Sequence, residues 1–226
     1  MHPILRETKA RFQPVVRDLL KTSHSDALVE AAGPAYAHRN PIVGLVFWRR
    51  LSVALAEALR QAGRRALDFG CGTGLMSEAL TRGGFRVTAV DLDLGSKKLL
   101  EERLNFAKSV TFVEGDLATL DLVPGSFDVI VALDVLEHIS PLTAYVDAFE
   151  RLLAPEGVLI VSGPTESLLY RLGRRLAGRE FTGHYHVSDI YDVAESLRER
   201  FEVRTVARVM WPATLFEVLS CRKRGV

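Results

Sequence analysis

The sequence predicts the α/β class: a seven-stranded, mostly parallel sheet with an antiparallel last strand and helices on both faces. Three observations carry this. From residue 65 onward, short β-rich runs alternate with helical segments. The early runs are apolar on both faces, as parallel strands covered by helices on two sides must be. A turn with three glycines, Gly70, Gly72 and Gly74, closes the first run and precedes a helical stretch.

The 226 residues suit one such domain with an added cap. Residues 1–40 are mixed, with Pro14, Gly33, Pro34 and Pro41 punctuating short helical stretches. Residues 42–62 read as a helix through FWRRLSVALAEALRQAG, and Gly63 is a suitable stop. Residues 1–62 are thus expected to form a helical cap and 63–226 the main domain. The strand runs of that domain are RALDFG, RVTAVDLD, VTFVEGD, FDVIVALD and GVLIVSGP. Between them lie the helical runs LMSEALTRGG, LGSKKLLEERLNFAKS and PLTAYVDAFERLLAPEG. Two late strand runs, FEVRTVARV and TLFEVLSCRK, are joined by MWPA, a link short enough for a hairpin. The last strand is therefore expected to run antiparallel. An insertion fills residues 164–186.

Composition narrows the function classes. Hydrophobic residues make up 48% of the chain, enough for a large core, and the formal net charge is +1. That balance calls for no polyanionic partner, so no nucleic acid is expected. Cys71 and Cys221 have no metal-ligand spacing and make a poor disulfide framework. The start, MHPILRETKARF, has no apolar signal core. The longest apolar run, PIVGLVFW, ends at Arg49 and Arg50, far short of a spanning helix. A cytoplasmic location is the expectation.

In a doubly wound sheet, ligands bind beyond the carboxyl ends of the strands, where the glycine turn lies. A dinucleotide site wants G-x-G-x-x-G, so that a pyrophosphate rests on the helix N-terminus. Here the spacing is G-x-G-x-G and position 75 is Leu. Asp68, two residues before the first glycine, is awkward beside a phosphate and favourable beside a cation. The expected ligand is cationic and carries no phosphate.

At this point the chain resembles a known family. LDFGCGTG is similar to motif I of the class I S-adenosylmethionine-dependent methyltransferases, of the small-molecule, type 11-like kind. The resemblance continues in order through VTAVDLD, VEGDLATL, FDVIVALDVLEHI and LAPEGVLIVSGP, over residues 64–164. It implies a Rossmann-like sheet and S-adenosyl-L-methionine as cofactor. Asp68 then favours the ammonium end, and the amides from Gly70 through Cys71 and Gly72 to Gly74 approach the ligand. Asp91, with Leu92 beside it, accepts from the ribose hydroxyls. Asp116 accepts from the adenine amino group, and Leu117 packs on the ring. Leu133 and Asp134 lie near the methionyl portion and the transferring methyl.

Plainer readings stand beside these. Asp91 can be a helix cap, with Asp93 and Ser96 as rivals. Asp116 can be a turn residue, since EGD reads as a turn anyway. Cys71 reads as a small residue in a tight turn, not a nucleophile.

Removing a proton from an acceptor is work for a histidine. His138 follows the fourth strand in DVLEHI; His184 and His186 flank Tyr185 at the end of the insertion. All three histidines are candidate catalytic residues, and for each a loop role fits as well. Asp134, Glu137 and His138 form a D-x-x-E-H string, similar to one in ubiquinone-pathway O-methyltransferases. Asp134 has a competing cofactor role, so no metal is expected. Tyr36 in the cap, a candidate to face the sulfonium, and Tyr185 are substrate or lid candidates, and Arg39 is a candidate to meet the cofactor carboxylate.

The insertion carries Leu168, Leu172 and Leu176 at helical spacing, with Arg171, Arg174, Arg175 and Arg179 on the rest. This basic amphipathic helix, 165–180, reads first as a lid and second as a peripheral membrane contact. The expected activity is methyl transfer to a small or lipid-like acceptor. The rivals are a nicotinamide-dependent oxidoreductase, which Leu75 and Asp68 oppose, and a cofactor-binding module without turnover.

Overall fold

The structure is a computed structural model that describes residues 1–22, 36–38, 41–101, 103, 110–165, 187–210 and 214–225. The first helix, α1 (Pro3–Thr22), is a single 20-residue element rather than several short ones. Leu5, Thr8, Phe12, Val16 and Leu19 recur every three to four residues and are buried. Pro14 lies on the opposite, exposed side. The carbonyl it leaves without an amide partner can there be satisfied by water, so packing of the apolar stripe outweighs the break. The second helix, α2 (Pro41–Leu59), ends three residues before the expected boundary.

Seven strands follow in the expected order: β1 (Arg65–Phe69), β2 (Arg86–Asp91), β3 (Val110–Glu114), β4 (Phe127–Leu133), β5 (Leu153–Pro164), β6 (Phe201–Val209) and β7 (Phe216–Lys223). They form one sheet in the order β3-β2-β1-β4-β5-β7-β6. The first five are mutually parallel. β7 inserts between β5 and β6 and runs antiparallel to both. The hairpin link is short because β6 and β7 are neighbours. The helices between the strands are α3 (Leu75–Arg82), α4 (Gly95–Glu101) and α5 (Thr143–Leu152). The end of the expected helix at 94–109 lies outside the described residues, except Arg103. α5 stops earlier than expected because Leu153 already pairs with Phe127 of β4.

Residues alternate between the two sheet faces, as the period of a strand requires. Ala66, Val87, Val129, Val131 and Ile160 share one core with Leu5, Phe12, Trp48, Leu51 and Leu55. Leu67, Phe69, Ile130, Val161 and Leu219 share the other with Phe149 and Leu197. The N-terminal helices are therefore packed into the sheet's own core. Among the described residues, no helix is long and apolar enough to cross a membrane.

The strand-and-helix alternation read above leaves residues 187–200 without an element. The structure places α6 (Ile190–Arg198) there. Its buried residues, Ile190, Val193, Ala194 and Leu197, follow helical spacing. Asp189 starts it: its side chain accepts from the amides of Tyr191 (2.8 Å) and Asp192 (3.1 Å), while Asp192 accepts from the Asp189 amide (3.1 Å). An acid standing in for the usual Ser or Thr, and another for Glu, hides this reciprocal cap from a sequence scan. The Asp189→Ala variant is expected to lose about 1 kcal/mol of stability, measured by urea unfolding.

Candidate functional site

The site lies where the strand order reverses, between β1 and β4, at the carboxyl ends of the parallel strands. β1 enters a turn in which Gly70, Gly72 and Gly74 have φ of 68°, 48° and 74°. Only glycine takes up such values without strain. At Gly70 the need is double, since a Cβ would stand 2.5 Å from the Val135 side chain. The turn thereby packs tightly against the loop that follows β4.

The amides of this turn are mostly occupied. Those of Gly70 and Cys71 donate to the Val90 carbonyl, at 2.9 and 3.2 Å. Gly72 donates to the Asp91 carboxylate at 2.7 Å, and Gly74 to the Cys71 carbonyl at 2.8 Å. Four of the five donors hold the turn's own shape. Among the described residues, no hydrogen-bond donor reaches the Gly70 or Gly72 carbonyl. The polar edge left over is one of acceptors, which suits a cation.

Asp68 lies beneath the turn and is only 2% exposed. The Ser77 hydroxyl donates to it at 2.5 Å, and it also accepts from the Ser77 amide in the first turn of α3. The carboxylate thus sits at the helix start that a pyrophosphate would need. Burial pushes its carboxyl up to about 7, against the opposing pull of the Ser77 hydrogen bonds. Cys71 is buried beside it, and burial raises its thiol far above the usual range. That removes the thiolate a nucleophile would need.

The next two acids have different settings. Asp91 accepts from Gly72 and, at 3.3 Å, from the Asp93 amide, so it ties β2 to the glycine turn rather than capping α4. Asp93 instead accepts from the Gly95 amide at 2.7 Å. Leu92 is 71% exposed. Asp116 accepts from the Ala118 amide at 3.0 Å, the turn bond its sequence suggests, and from the Tyr145 hydroxyl. The Tyr145 ring lies 5.6 Å from that of Phe69. Leu117 is wholly buried in the core with Leu67, Phe69 and Val90, leaving no free face for a ring.

Leu133 is half-buried at the end of β4. Asp134 follows with φ of 54°, a left-handed conformation uncommon outside glycine. Its amide donates to the Ser162 carbonyl at 2.9 Å, and the Ser162 hydroxyl donates back to its side chain at 3.1 Å. It also forms an ion pair with Arg50 of α2. Arg50 is fully buried, with its guanidinium carbon 4.7 Å from the ring centroids of both Phe47 and Phe216. Burial works against its cation, and Asp134, Tyr36 and Glu137 together more than restore it. The same guanidinium donates to the Tyr36 hydroxyl at 3.2 Å. Tyr36 is buried, and burial chiefly raises its hydroxyl above the usual range. Sequence reading placed Tyr36 and Asp134 in the site and missed Arg50. A charged residue inside the apolar run of α2 was the available signal.

Of the D-x-x-E-H string, Glu137 is buried and His138 exposed. No group of three or more metal-ligating side chains occurs among the described residues. His184, Tyr185, His186, Arg39 and nearly all of the 165–180 helix lie outside the described residues.

Residues 67–161 match the family described as "Methyltransferase domain". The ubiquinone biosynthesis O-methyltransferase of Psychrobacter arcticus is 38% identical over 105 residues, 45% of this chain and 41% of that protein. The enzyme of the same description from Xanthomonas euvesicatoria pv. vesicatoria is 37% identical over 151 residues, 62% of each chain. Thus the chain spans about two fifths to three fifths of the length of these curated relatives. Among solved structures, the Burkholderia thailandensis 1,6-didemethyltoxoflavin-N1-methyltransferase superposes with a TM-score of 0.62 at 24% identity. That match covers 88% of this chain and 89% of that one. The fold is the Rossmann-like class I methyltransferase fold. Over residues 67–161, the chain is thus similar to the methyltransferase domain family.

Because the folded Asp68 carboxyl is raised to about 7 from 3.8, its contribution to stability is complete below about pH 4. It is lost as pH rises through 7. Thermal unfolding of the ligand-free protein between pH 4 and 8 is expected to show this slope, and Asp68→Asn to flatten it. The Gly70→Ala variant is expected to lose about 1–3 kcal/mol in urea unfolding.

Proposed function

We propose that this chain binds S-adenosyl-L-methionine and transfers its methyl group to a small-molecule acceptor. The observation that carries the reading is the glycine turn with its amides occupied, its carbonyls open and a buried carboxylate below. Such a turn offers negative potential and acceptor oxygens, so it suits an ammonium and repels a phosphate. The blocked start of α3 counts against the nicotinamide alternative, and none of the relatives described above supports it.

The cofactor supplies a methyl group on a sulfonium. The chain's own residues bind and orient it. The Gly70 and Gly72 carbonyls accept from its ammonium group, and Asp68 adds charge from beneath. A carboxylate has about four acceptor positions, so Asp91 can hold Gly72 and still accept from ribose hydroxyls. Asp116 likewise has capacity for an adenine amino group, with Phe69 and Tyr145 nearby. Leu133 and Asp134 border the methionyl end.

The N-terminal segment 1–62 acts as the cap over this end, supported by the reach of Arg50 to Asp134. His138, exposed after β4, is the described candidate to take a proton from the acceptor. His184, His186 and Tyr185 are proposed to complete the acceptor pocket. The relatives' role in ubiquinone biosynthesis supports an oxygen nucleophile on a lipid-like acceptor. Peripheral membrane contact through residues 165–180 and a cytoplasmic location belong to the same reading. Release of labelled methyl into a panel of phenolic acceptors separates an enzyme from a binding module without turnover.

Calorimetry with S-adenosylhomocysteine is expected to show binding, and NADH none. Affinity is expected to rise between pH 6 and pH 8, because a cationic ligand favours the ionised form of Asp68. The Asp91→Ala variant is expected to bind about ten-fold or more weakly. Preference for NADH, or no binding of S-adenosylhomocysteine, overturns the reading.

A further inference from the structure

The ion pair between α2 and the end of β4 leaves hydrogen-bond donors over. The guanidinium of Arg50 is fully buried, yet among the described residues its Nε and Nη1 have no hydrogen-bond partner. Its Nη2 is the atom that serves both Asp134 and the Tyr36 hydroxyl. Arginine carries donors and no acceptor. The Tyr36 oxygen must therefore accept in that bond, and its own proton must go elsewhere. Among the described residues, no acceptor takes it.

Among the described residues, three donor groups are thus buried together without acceptors. A buried donor without a partner costs stability, and a cluster of them in a folded protein calls for a ligand. Phe47 and Phe216 pack against the guanidinium from one side, each ring centroid 4.7 Å from its carbon and the two centroids 5.6 Å apart. Charge decides the kind of ligand. Arg50 is already matched by Asp134, and the Glu137 carboxylate acts on it as well. No surplus positive charge is left for an anion. Position sets it apart from the nucleoside part of the cofactor. The cluster stands over β4 and β7, away from Asp91 and Asp116 on the β2 and β3 side.

We propose that Tyr36 and Arg50 form the donor cluster that receives a neutral oxygen of the methyl acceptor and selects it over a carboxylate. This rests on the function proposed above. Tyr36 touches the acceptor. Arg50 offers Nε and Nη1 to the same acceptor and also fixes the direction of the Tyr36 hydroxyl proton.

Binding of catechol and of benzoate to the complex with S-adenosylhomocysteine, followed by NMR titration, tests the proposal. Catechol is expected to bind and to be preferred over benzoate. Tyr36→Phe is expected to weaken catechol about ten-fold, with S-adenosylhomocysteine affinity changed less than two-fold. Arg50→Lys retains the charge and loses the fork, and it is expected to weaken catechol similarly while keeping the fold. It is also expected to shift the titration of the Tyr36 hydroxyl, which a merely structural role would leave in place.

Unchanged catechol binding in Tyr36→Phe, preference for benzoate, or no catechol binding by the wild-type complex overturns the proposal. A ten-fold loss of S-adenosylhomocysteine in Tyr36→Phe assigns the donors to the cofactor's carboxylate and also overturns it. Failure of the wild-type protein to bind S-adenosylhomocysteine at all counts against the cofactor reading instead.

Discussion

A carboxylate held under a glycine turn sets the character of this protein. Asp68 ends up almost without water because β1 is central in the sheet and α3 begins directly above it. Burying an acid is costly unless hydrogen bonds meet it, and Ser77 does so with both hydroxyl and amide. The consequence reaches the ligand. A helix start that binds its own carboxylate has no attraction left for a phosphate, and the turn above presents oxygens. Two folds that look alike in outline can therefore suit opposite charges at the same crevice.

The second organising interaction ties the N-terminal segment to the sheet. α2 runs along the core with Trp48, Leu51 and Leu55 inward, and it carries Arg50 into the same interior. A lone guanidinium there would be strongly unfavourable. Asp134, Tyr36 and two aromatic rings make it tolerable, and in doing so they join α2, β4 and β7 at one point. On the neighbouring side, α1 is latched to α3 through Arg11 and Glu78, 3.1 Å apart. The cap and the glycine turn are thus mechanically connected rather than merely adjacent.

Much of the fold was legible before any coordinates. Strand runs such as FDVIVALD announce themselves because burial on both faces leaves no room for polar residues between Asp128 and Asp134. The positive φ at the glycine turn was legible because it is a local property of the backbone. α1 was harder: Pro14 reads as a break, and only the position of its buried stripe shows that the proline faces solvent. α6 was missed because its cap uses two aspartates in an unfamiliar pairing.

Sequence by itself determined the order of the strands along the chain, the glycine turn and the acids that end β1, β2 and β4. These follow from local periodicity, backbone freedom and the placement of charged residues at strand ends. Tertiary structure alone decided which donors and acceptors those groups still have to offer. The turn amides are taken by Val90 and Asp91, Leu117 is taken by the core, and Arg50 is brought to Asp134 across 84 positions of chain. Hydrogen-bond capacity is a property of three-dimensional neighbours, and no pattern along a single chain records which of them will meet.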